Sequence, residues 1–423
     1  MQHVLRAGAI AAVLVMAVPA GVLAGEALPG ASLQTLLELA QASNPEYTSM
    51  RFEAQAAAER VKPAGALMDP KFRIEWMDIT KMGEQNPTLW PSDVGSTKYT
   101  LMQDIPWFGK RDLKRDIAHF DAEGSQGKAL GTWLELAARV KTLQAQRYYL
   151  RGNKELTQEI LDLMARLEQV AQSRYAGGLA AQQDVIRAQV EQTNMRNELV
   201  MIESESLQVD ARLNALLARP AMAALAAPES LRPLPAQSLL DAAKLEERVR
   251  NRNPQLFVEE ARIQAAQKSR DLTYKNRYPD FTLSISPTQT QTNVKEWGLM
   301  LEVNIPLQQS SRRAMEREAE AMLSAARARK EAAANQVLAE LAQNLAAIEA
   351  ARRTELLASS SLLPQADLTF SSAMASYENG KLDFATLLDA QRQIRQAKQS
   401  RIKAQFEGQM RLAEIEKLLG EDL

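Results

Sequence analysis

The sequence predicts a mainly α fold with a small β part, built twice on one plan: long α-hairpins plus four β-strands per chain. Three observations carry that prediction. The chain repeats itself at about half its length, four short segments alternate in hydropathy, and the stretches between them are long and helical in composition. Aromatic residues make up only 5% of the 423 residues, and Ala, Gln, Glu, Arg and Leu dominate the later segments, a bias towards long helices over a compact enzyme fold.

The repeat shows in ordered matches. Asn44-Pro45 recurs as Asn253-Pro254, Pro70-Lys71-Phe72 as Pro279-Asp280-Phe281, and Ile105-Pro106 as Ile305-Pro306. Tyr175-Ala176-Gly177-Gly178 recurs as Tyr377-Glu378-Asn379-Gly380, Ala188-Gln189 as Ala390-Gln391, and Leu216-Leu217 as Leu418-Leu419. Asn-Pro, Ile-Pro and Tyr-x-x-Gly are not helix-interior patterns, so chance likeness between two Ala-rich helices does not explain them. The division that follows is a leader at 1–24, a first repeat at 25–220, a linker at 221–237 rich in Pro and Ala, and a second repeat at 238–423. Each repeat reads as a helix (32–66 and 238–276), two strands (70–79 and 97–106; 279–288 and 295–305), a long helical stretch (109–173 and 309–376), a Gly-containing reversal and a returning helix (181–218 and 383–419). The spacing of the matches shortens between the second pair of strands, which predicts a shorter loop there.

The strands are predicted from alternation. Trp297, Leu299, Leu301, Val303 and Ile305 share one face, while Glu296, Gly298, Met300, Glu302 and Asn304 share the other. Phe281, Leu283 and Ile285 alternate with Thr282, Ser284 and Ser286, and Phe72, Ile74 and Trp76 with Arg73 and Glu75. Tyr99, Leu101 and Ile105 share a face that Gln103 interrupts. Such lengths cross a bilayer when tilted, and Trp76, Trp90, Trp107 and Trp297 fall in or beside them, where an interfacial aromatic belt would place them; the alternative is an ordinary amphipathic sheet packed on helices with Trp as core. Four strands cannot close a barrel, and lipid offers no partner to an open edge, so spanning strands require several chains in one barrel. The leader agrees with export. A weakly basic start, an apolar run from Ala7 to Val18 and a small residue at Ala24 read as a signal peptide.

The returning helix carries a heptad seam, Val185, Ala188, Gln192, Met195, Leu199, Ile202, Ser206, Val209, Leu213 and Leu216, which calls for another helix as partner. The matching seam of the second copy is poorer: Ala390, Ile394, Ala397 and Ala404 are interrupted by Arg401 and Arg411. Composition narrows the chemistry further. With no cysteine, disulfides, thiolate sites and a lipid-anchor cysteine are excluded. His119 is the one histidine outside the leader, which leaves no multi-histidine metal centre. Near-balance of 51 cationic and 52 anionic side chains gives no reason to expect nucleic acid. No Gly-rich phosphate loop or nucleophile motif is present, so neither an enzyme nor a cofactor is expected.

These motifs, in this order and twice over, resemble the TolC-type outer-membrane efflux protein family across essentially the whole mature chain. The likeness rests on Tyr175, Gly178, Asp184-Val185 and Ala188-Gln189, on Tyr377, Gly380, Leu388-Asp389 and Ala390-Gln391, and on Leu213-Asn214-Ala215-Leu216-Leu217-Ala218-Arg219-Pro220. The resemblance implies a homotrimer whose twelve strands form one outer-membrane barrel in lipid, joined to an α-helical tunnel through the periplasm. It also implies docking on a periplasmic adaptor (a membrane fusion protein) and an inner-membrane pump of the RND type. Ile105-Pro106-Trp107-Phe108-Gly109-Lys110-Arg111 resembles the strand-to-helix junction of the heavy-metal branch, which favours metal-cation efflux over a drug or type I protein secretion duct. A soluble periplasmic coiled-coil adaptor or scaffold is the rival of another class; it does not account for four bilayer-length strands.

The family places its gate at the helix reversals, with carboxylates and ion pairs around the entrance. Carried over residue by residue, the aperture candidates are Asp184, Tyr377 and Asp389; Asp383, beside the departing Leu382, and Arg187, spaced three residues from Asp184 to offer it an ion pair, join them. Tyr175, Gly178 and Gly380 form the reversal turns at the adaptor-facing tip. Thr386 and Leu382 depart from the family pattern, which puts the partner of each carboxylate in question. Met68, Met77, Met82 and Met102 gather around the first strand pair, where thioethers suit a soft cation or simply fill gaps. His119 lies near Asp116 and Glu123, either as a metal ligand set or as a solvated helix face.

Overall fold

A computed structural model describes residues 28–423; the leader expected at 1–24 lies outside the described residues. The elements are α1 (Leu33–Ser43), α2 (Pro45–Ala64), β1 (Lys71–Met77), β2 (Ser96–Ile105), α3 (Lys110–Ala176) and α4 (Gln182–Leu216), then α5 (Ala242–Arg252), α6 (Pro254–Lys275), β3 (Asp280–Thr290), β4 (Asn293–Asn304), α7 (Gln309–Leu357), α8 (Leu363–Glu378) and α9 (Phe384–Leu419). A π-helical turn at Ala358–Leu362 joins α7 to α8 without interrupting the rod. At about 1.5 Å per residue, the 67 residues of α3 extend roughly 100 Å.

The helices form one layer, four abreast, at two levels. On the sheet side α3 packs against α2 and α6, and α6 against α7. Beyond the midpoint α4 and α9 take those places: α3 packs on α4 and α9, and α9 on α7 and α8. Two rods therefore run the full length, and two columns are each stacked from shorter helices. The recurring Asn-Pro pairs make the joints. Asn44 Oδ1 accepts from the Tyr47 amide at 2.9 Å and caps α2, while its Nδ2 donates to the Leu216 carbonyl at the end of α4, also at 2.9 Å. Asn253 repeats this between α6 and α9, accepting from the Leu256 amide at 3.1 Å and donating to the Leu418 carbonyl at 2.9 Å. Both asparagines are buried, and Pro45 and Pro254 stand in the first turn, where a missing N–H costs nothing. The helices predicted as single pieces at 32–66 and 238–276 are thus each broken in two at the asparagine.

The linker is strapped across the midpoint by arginines that satisfy its unpaired carbonyls. Arg147 donates to the Ala226 carbonyl at 2.8 Å, Arg151 to that of Pro228 at 3.0 Å, and Arg352 to that of Pro235. Arg232, from the linker, and Lys141, from α3, both pair with the buried Glu416 of α9, at 2.9 and 2.7 Å.

The sheet is fully antiparallel in the order β1-β2-β3-β4, so the two repeats meet at β2 and β3. Its register puts Phe72 opposite Leu101, Leu101 opposite Ile285, and Ile285 opposite Leu299. Directly opposed residues project to one side, so one face is apolar from edge to edge. The other face carries Arg73, Glu75, Lys98, Thr100, Ser284, Ser286, Glu296 and Glu302. Phe72, Leu283, Leu299 and Leu301 are exposed on the apolar side, and every residue of β4 is exposed. β1 and β4 are edge strands with no further partner among the described residues. β3 and β4 are joined by two residues, Gln291 and Thr292, whereas β1 and β2 are joined by 78–95; β1 ends at Met77, two residues earlier than predicted.

Candidate functional site

Both reversals lie at the end of the helical layer farthest from the sheet. Each turns on a glycine in the left-handed region, Gly178 and Gly380, both at φ 71°, which an L side chain enters only with strain. Beneath them Tyr377 is buried against Phe384, ring centroids 5.4 Å apart, in a core with Met164, Leu167, Ala171, Ala188 and Leu387. Tyr175, at the equivalent place in the first copy, is 47% exposed. The two copies of the motif have therefore diverged, one tyrosine becoming core and the other surface.

Arg174 joins the two reversals, and the sequence reading missed it. Its Nη1 donates to the Glu378 carbonyl at 2.6 Å and its Nη2 to the Leu179 carbonyl at 3.2 Å. The guanidinium also lies over the Tyr377 ring, 4.9 Å from the centroid. The available signal was asymmetry: at the spacing of the tyrosines, the second copy has Ser376 where the first has Arg174.

The candidate carboxylates fall into different roles. Asp383 is the N-cap of α9, accepting from the Thr386 amide at 2.9 Å and its hydroxyl at 2.5 Å. Those bonds, the hydroxyl's first, hold its pKa below the ordinary aspartate value. Thr386, a departure from the family pattern, is thus the partner of this cap. Asp184 is half-buried, and burial pushes its pKa up; repulsion from Asp383 adds to this while Arg187 and Arg174 oppose it. Arg187 lies within electrostatic reach of both carboxylates but forms no ion pair within 4.0 Å among the described residues, so the direct Asp184–Arg187 pair suggested by their spacing is absent. Tyr377, buried and near Asp184, has its pKa raised, burial being the larger cause. Asp389 is exposed beside Arg392 at 3.5 Å, and Arg392 reaches across to Glu191 of α4. Arg395 pairs with Glu198 and Lys398 with Glu159, so α9 is laced to α4 and α3 by successive ion pairs. Between α4 and α9 a shallow groove is lined by Ile186, Val190, Leu388, Asp389 and Arg392.

Two other candidates come apart. Met77 pairs opposite Ser96 and Met102 opposite Lys71, at opposite ends of the strand pair and some 20 Å apart at about 3.4 Å per residue. Met68 and Met82 are exposed at 61% and 95%. The four thioethers do not share a site. His119 is exposed with Glu123 at 3.4 Å, and no group of metal-ligating side chains is assembled among the described residues.

A sheet with one apolar and one polar face, open at both edges and running into a long helical layer that ends in a charged reversal, defines a subunit of a membrane duct. The chain belongs to the outer membrane efflux protein family, whose model matches residues 36–219 and 245–421. That membership removes the soluble adaptor as a reading. The chain is 24% identical over 379 residues to the cobalt-zinc-cadmium resistance protein CzcC of Cupriavidus metallidurans, covering 88% of this chain and 86% of that one. Its fold is that of the CusC channel (TM-score 0.78, 16% identity, 92% of each chain). It is also that of the outer membrane protein VceC from Vibrio cholerae (TM-score 0.77, 17% identity, 92% of this chain and 96% of that one).

Proposed function

We propose that this outer-membrane efflux protein is the exit duct for heavy-metal cations, working as a homotrimer with a periplasmic adaptor and an inner-membrane pump of RND type. The observation that carries the cargo is the likeness to CzcC over most of both chains. The charged tip agrees with it. Asp184, Asp383 and Asp389 of three copies would ring the entrance with carboxylates, which favours cations over anions.

Conduction is passive, with the energy supplied by the pump. The closed entrance is held by Arg174, which ties one reversal to the other, and by the ion pairs of Arg392 and Arg395 with α4. Opening separates these reversals and exposes the Asp184 carboxylate, which burial disfavours in its charged form. The groove between α4 and α9, with apolar Ile186 and Val190 half-exposed among charges, suits the tip of an adaptor hairpin.

The test joins transport to electrophysiology. Cells relying on this chain and its pump should accumulate cobalt, zinc or cadmium when it is deleted. Channels of the Asp184→Asn/Asp389→Asn variant in planar bilayers should lose cation selectivity by severalfold while still assembling. Unchanged metal content on deletion removes the cargo, and unchanged selectivity removes the carboxylate ring.

A further inference from the structure

Where the sheet meets the helices, the apolar face ends in an aromatic shelf. Trp107 stacks on Tyr278, centroids 5.2 Å apart and planes 10° from parallel, and lies 5.6 Å from Phe281. Phe281 sits on the apolar face opposite Ile105 and Val303, so Trp107 and Tyr278 continue that face at its lower margin. Phe108, Leu307 and Tyr278 are exposed there at 79%, 80% and 50%.

The charges around this shelf are one-sided. Residues 107–111, 274–280 and 304–316 hold six cations, Lys110, Arg111, Lys275, Arg277, Arg312 and Arg313, against two carboxylates, Asp280 and Glu316. Both carboxylates are engaged: Lys110 binds Asp280 at 2.8 Å, and Arg277 binds Glu316 through two nitrogens at 2.5 and 2.6 Å. Lys275, Arg312 and Arg313 form no ion pair among the described residues. Lys275 Nζ lies against the Phe108 carbonyl at 3.3 Å, held at the shelf because residue 109 is a glycine; a Cβ there would stand 2.6 Å from the nitrogen. Arg312 donates to the Asn276 carbonyl and, with Lys110, Tyr278, Asn304 and the Lys110-bound Asp280, lines a polar hollow next to the shelf, where the sheet's polar face begins. The opposite end of the sheet lacks this excess: residues 78–95 carry Lys81 against Asp78, Glu84 and Asp93.

We propose that this margin binds the phosphate headgroup of an anionic phospholipid from the adjoining leaflet. The acyl chains lie on the apolar face, the glycerol region on Trp107, Phe108 and Tyr278, and the phosphate against Lys275 and Arg312. Aromatic rings prefer the depth where tails give way to headgroups, and cations just beyond it meet phosphate. An unneutralised pair of cations selects an anionic headgroup over a zwitterionic one, whose own ammonium offsets the phosphate. The inference rests on the reading that the apolar face lies in lipid.

The experiment uses the full-length protein in nanodiscs of equal parts phosphatidylglycerol and phosphatidylcholine, with lipid retained after mild detergent extraction counted by native mass spectrometry. The native protein should retain phosphatidylglycerol at least threefold over phosphatidylcholine. Lys275→Gln/Arg312→Gln should bring the ratio close to one, and Arg353→Gln, on a distant part of α7, should leave it unchanged. Should the double variant not assemble, Lys275→Gln alone should lower the ratio. Equal retention of the two lipids by the native protein, or an unaltered ratio in the variants, overturns the site while leaving the barrel intact. Failure of the native protein to insert into the nanodisc overturns the membrane reading, and the site with it.

Discussion

At Asn253 one carboxamide serves two helix ends: its oxygen caps α6 and its nitrogen donates to the Leu418 carbonyl in the last turn of α9. Asn253→Ala removes an N-cap, about 1 kcal/mol, and strands a buried carbonyl, a further ~1–3 kcal/mol. Asn253→Asp keeps the cap but turns a carboxylate towards the Leu418 carbonyl, so it should be no milder. Thermal or denaturant unfolding of both variants checks this; a loss under about 0.5 kcal/mol for alanine would show that the joint is idle. Asp383 is the complementary case, because its charge matters. Its folded pKa lies below the unfolded value, so its stabilisation is present above the ordinary aspartate value of about 3.9 and is lost as pH falls through the depressed one. Asp184 has the opposite sign: its pKa is raised, so it costs stability as pH rises past the ordinary value. Amide exchange in the first turn of α9, corrected for intrinsic rates, should therefore accelerate in acid. In Asp383→Asn it should lose that pH dependence, and a retained dependence would assign it to another group. The sequence pointed to Asp184 by family pattern and to Asp383 only as the neighbour of the departing Leu382, but not to their roles, because a cap and a half-buried acid differ only in what folds over them.

For the elements, legibility followed the number of packed faces. The seam predicted on α4 is the buried face: Ala188, Gln192, Met195, Ile202, Val209 and Leu213 are all buried, because α3 is its one main neighbour. α9 is packed by α3 on one side and by α7 and α8 on the other. Its buried set widens to include Phe384, Leu387, Gln391, Gly408 and Ile415, which blurs a single stripe. Of the two arginines that interrupt the seam, Arg401 is simply exposed, and Arg411 is half-buried and donates to Asn344 Oδ1 of α7 at 3.3 Å. The reversals were read from Gly178 and Gly380, and their equal φ hides a difference. Nothing lies within 4 Å of a Cβ added at Gly178, whereas one at Gly380 meets Arg174 Nη2 at 3.2 Å. Gly178→Ala should cost about 1–2 kcal/mol of backbone strain. Gly380→Ala should cost that and also displace Arg174 from Glu378, loosening one reversal from the other. Limited proteolysis at the tip reads the difference: faster cleavage in Gly380→Ala than in Gly178→Ala supports the tie through Arg174, and equal rates argue against it.

At the scale of the whole molecule, both layers stop at unfinished edges, and the edges correspond. The sheet ends in β1 from the first repeat and β4 from the second; the helical layer ends in α4 from the first and α7–α8 from the second. The exposed apolar residues gather on those helical edges. On α4, away from the groove it forms with α9, they are Val200, Met201 and Leu207, and opposite them Leu356, Leu357, Leu362 and Leu368. Val200 and Leu357 stand some 18 and 21 residues from their reversals, about 30 Å along the helical layer in each case. An edge of the first repeat that seals against an edge of the second makes a head-to-tail contact, which closes into a ring when the rotation allows. Strand pairing at β1 and β4 demands the same closure, since lipid leaves an unpaired edge unsatisfied. Sequence alternation revealed the strands, but the helical edges were not legible, because an apolar residue facing a neighbouring copy has the same periodicity as one facing its own core. Met201→Asp and Leu357→Asp each place a charge in that contact, on opposite sides of it. Each should lower the trimer fraction in detergent at least tenfold by light scattering, while far-UV circular dichroism of the protomer stays helical. Undiminished trimer in both variants would mean that the copies meet through other surfaces and that these stripes face something else.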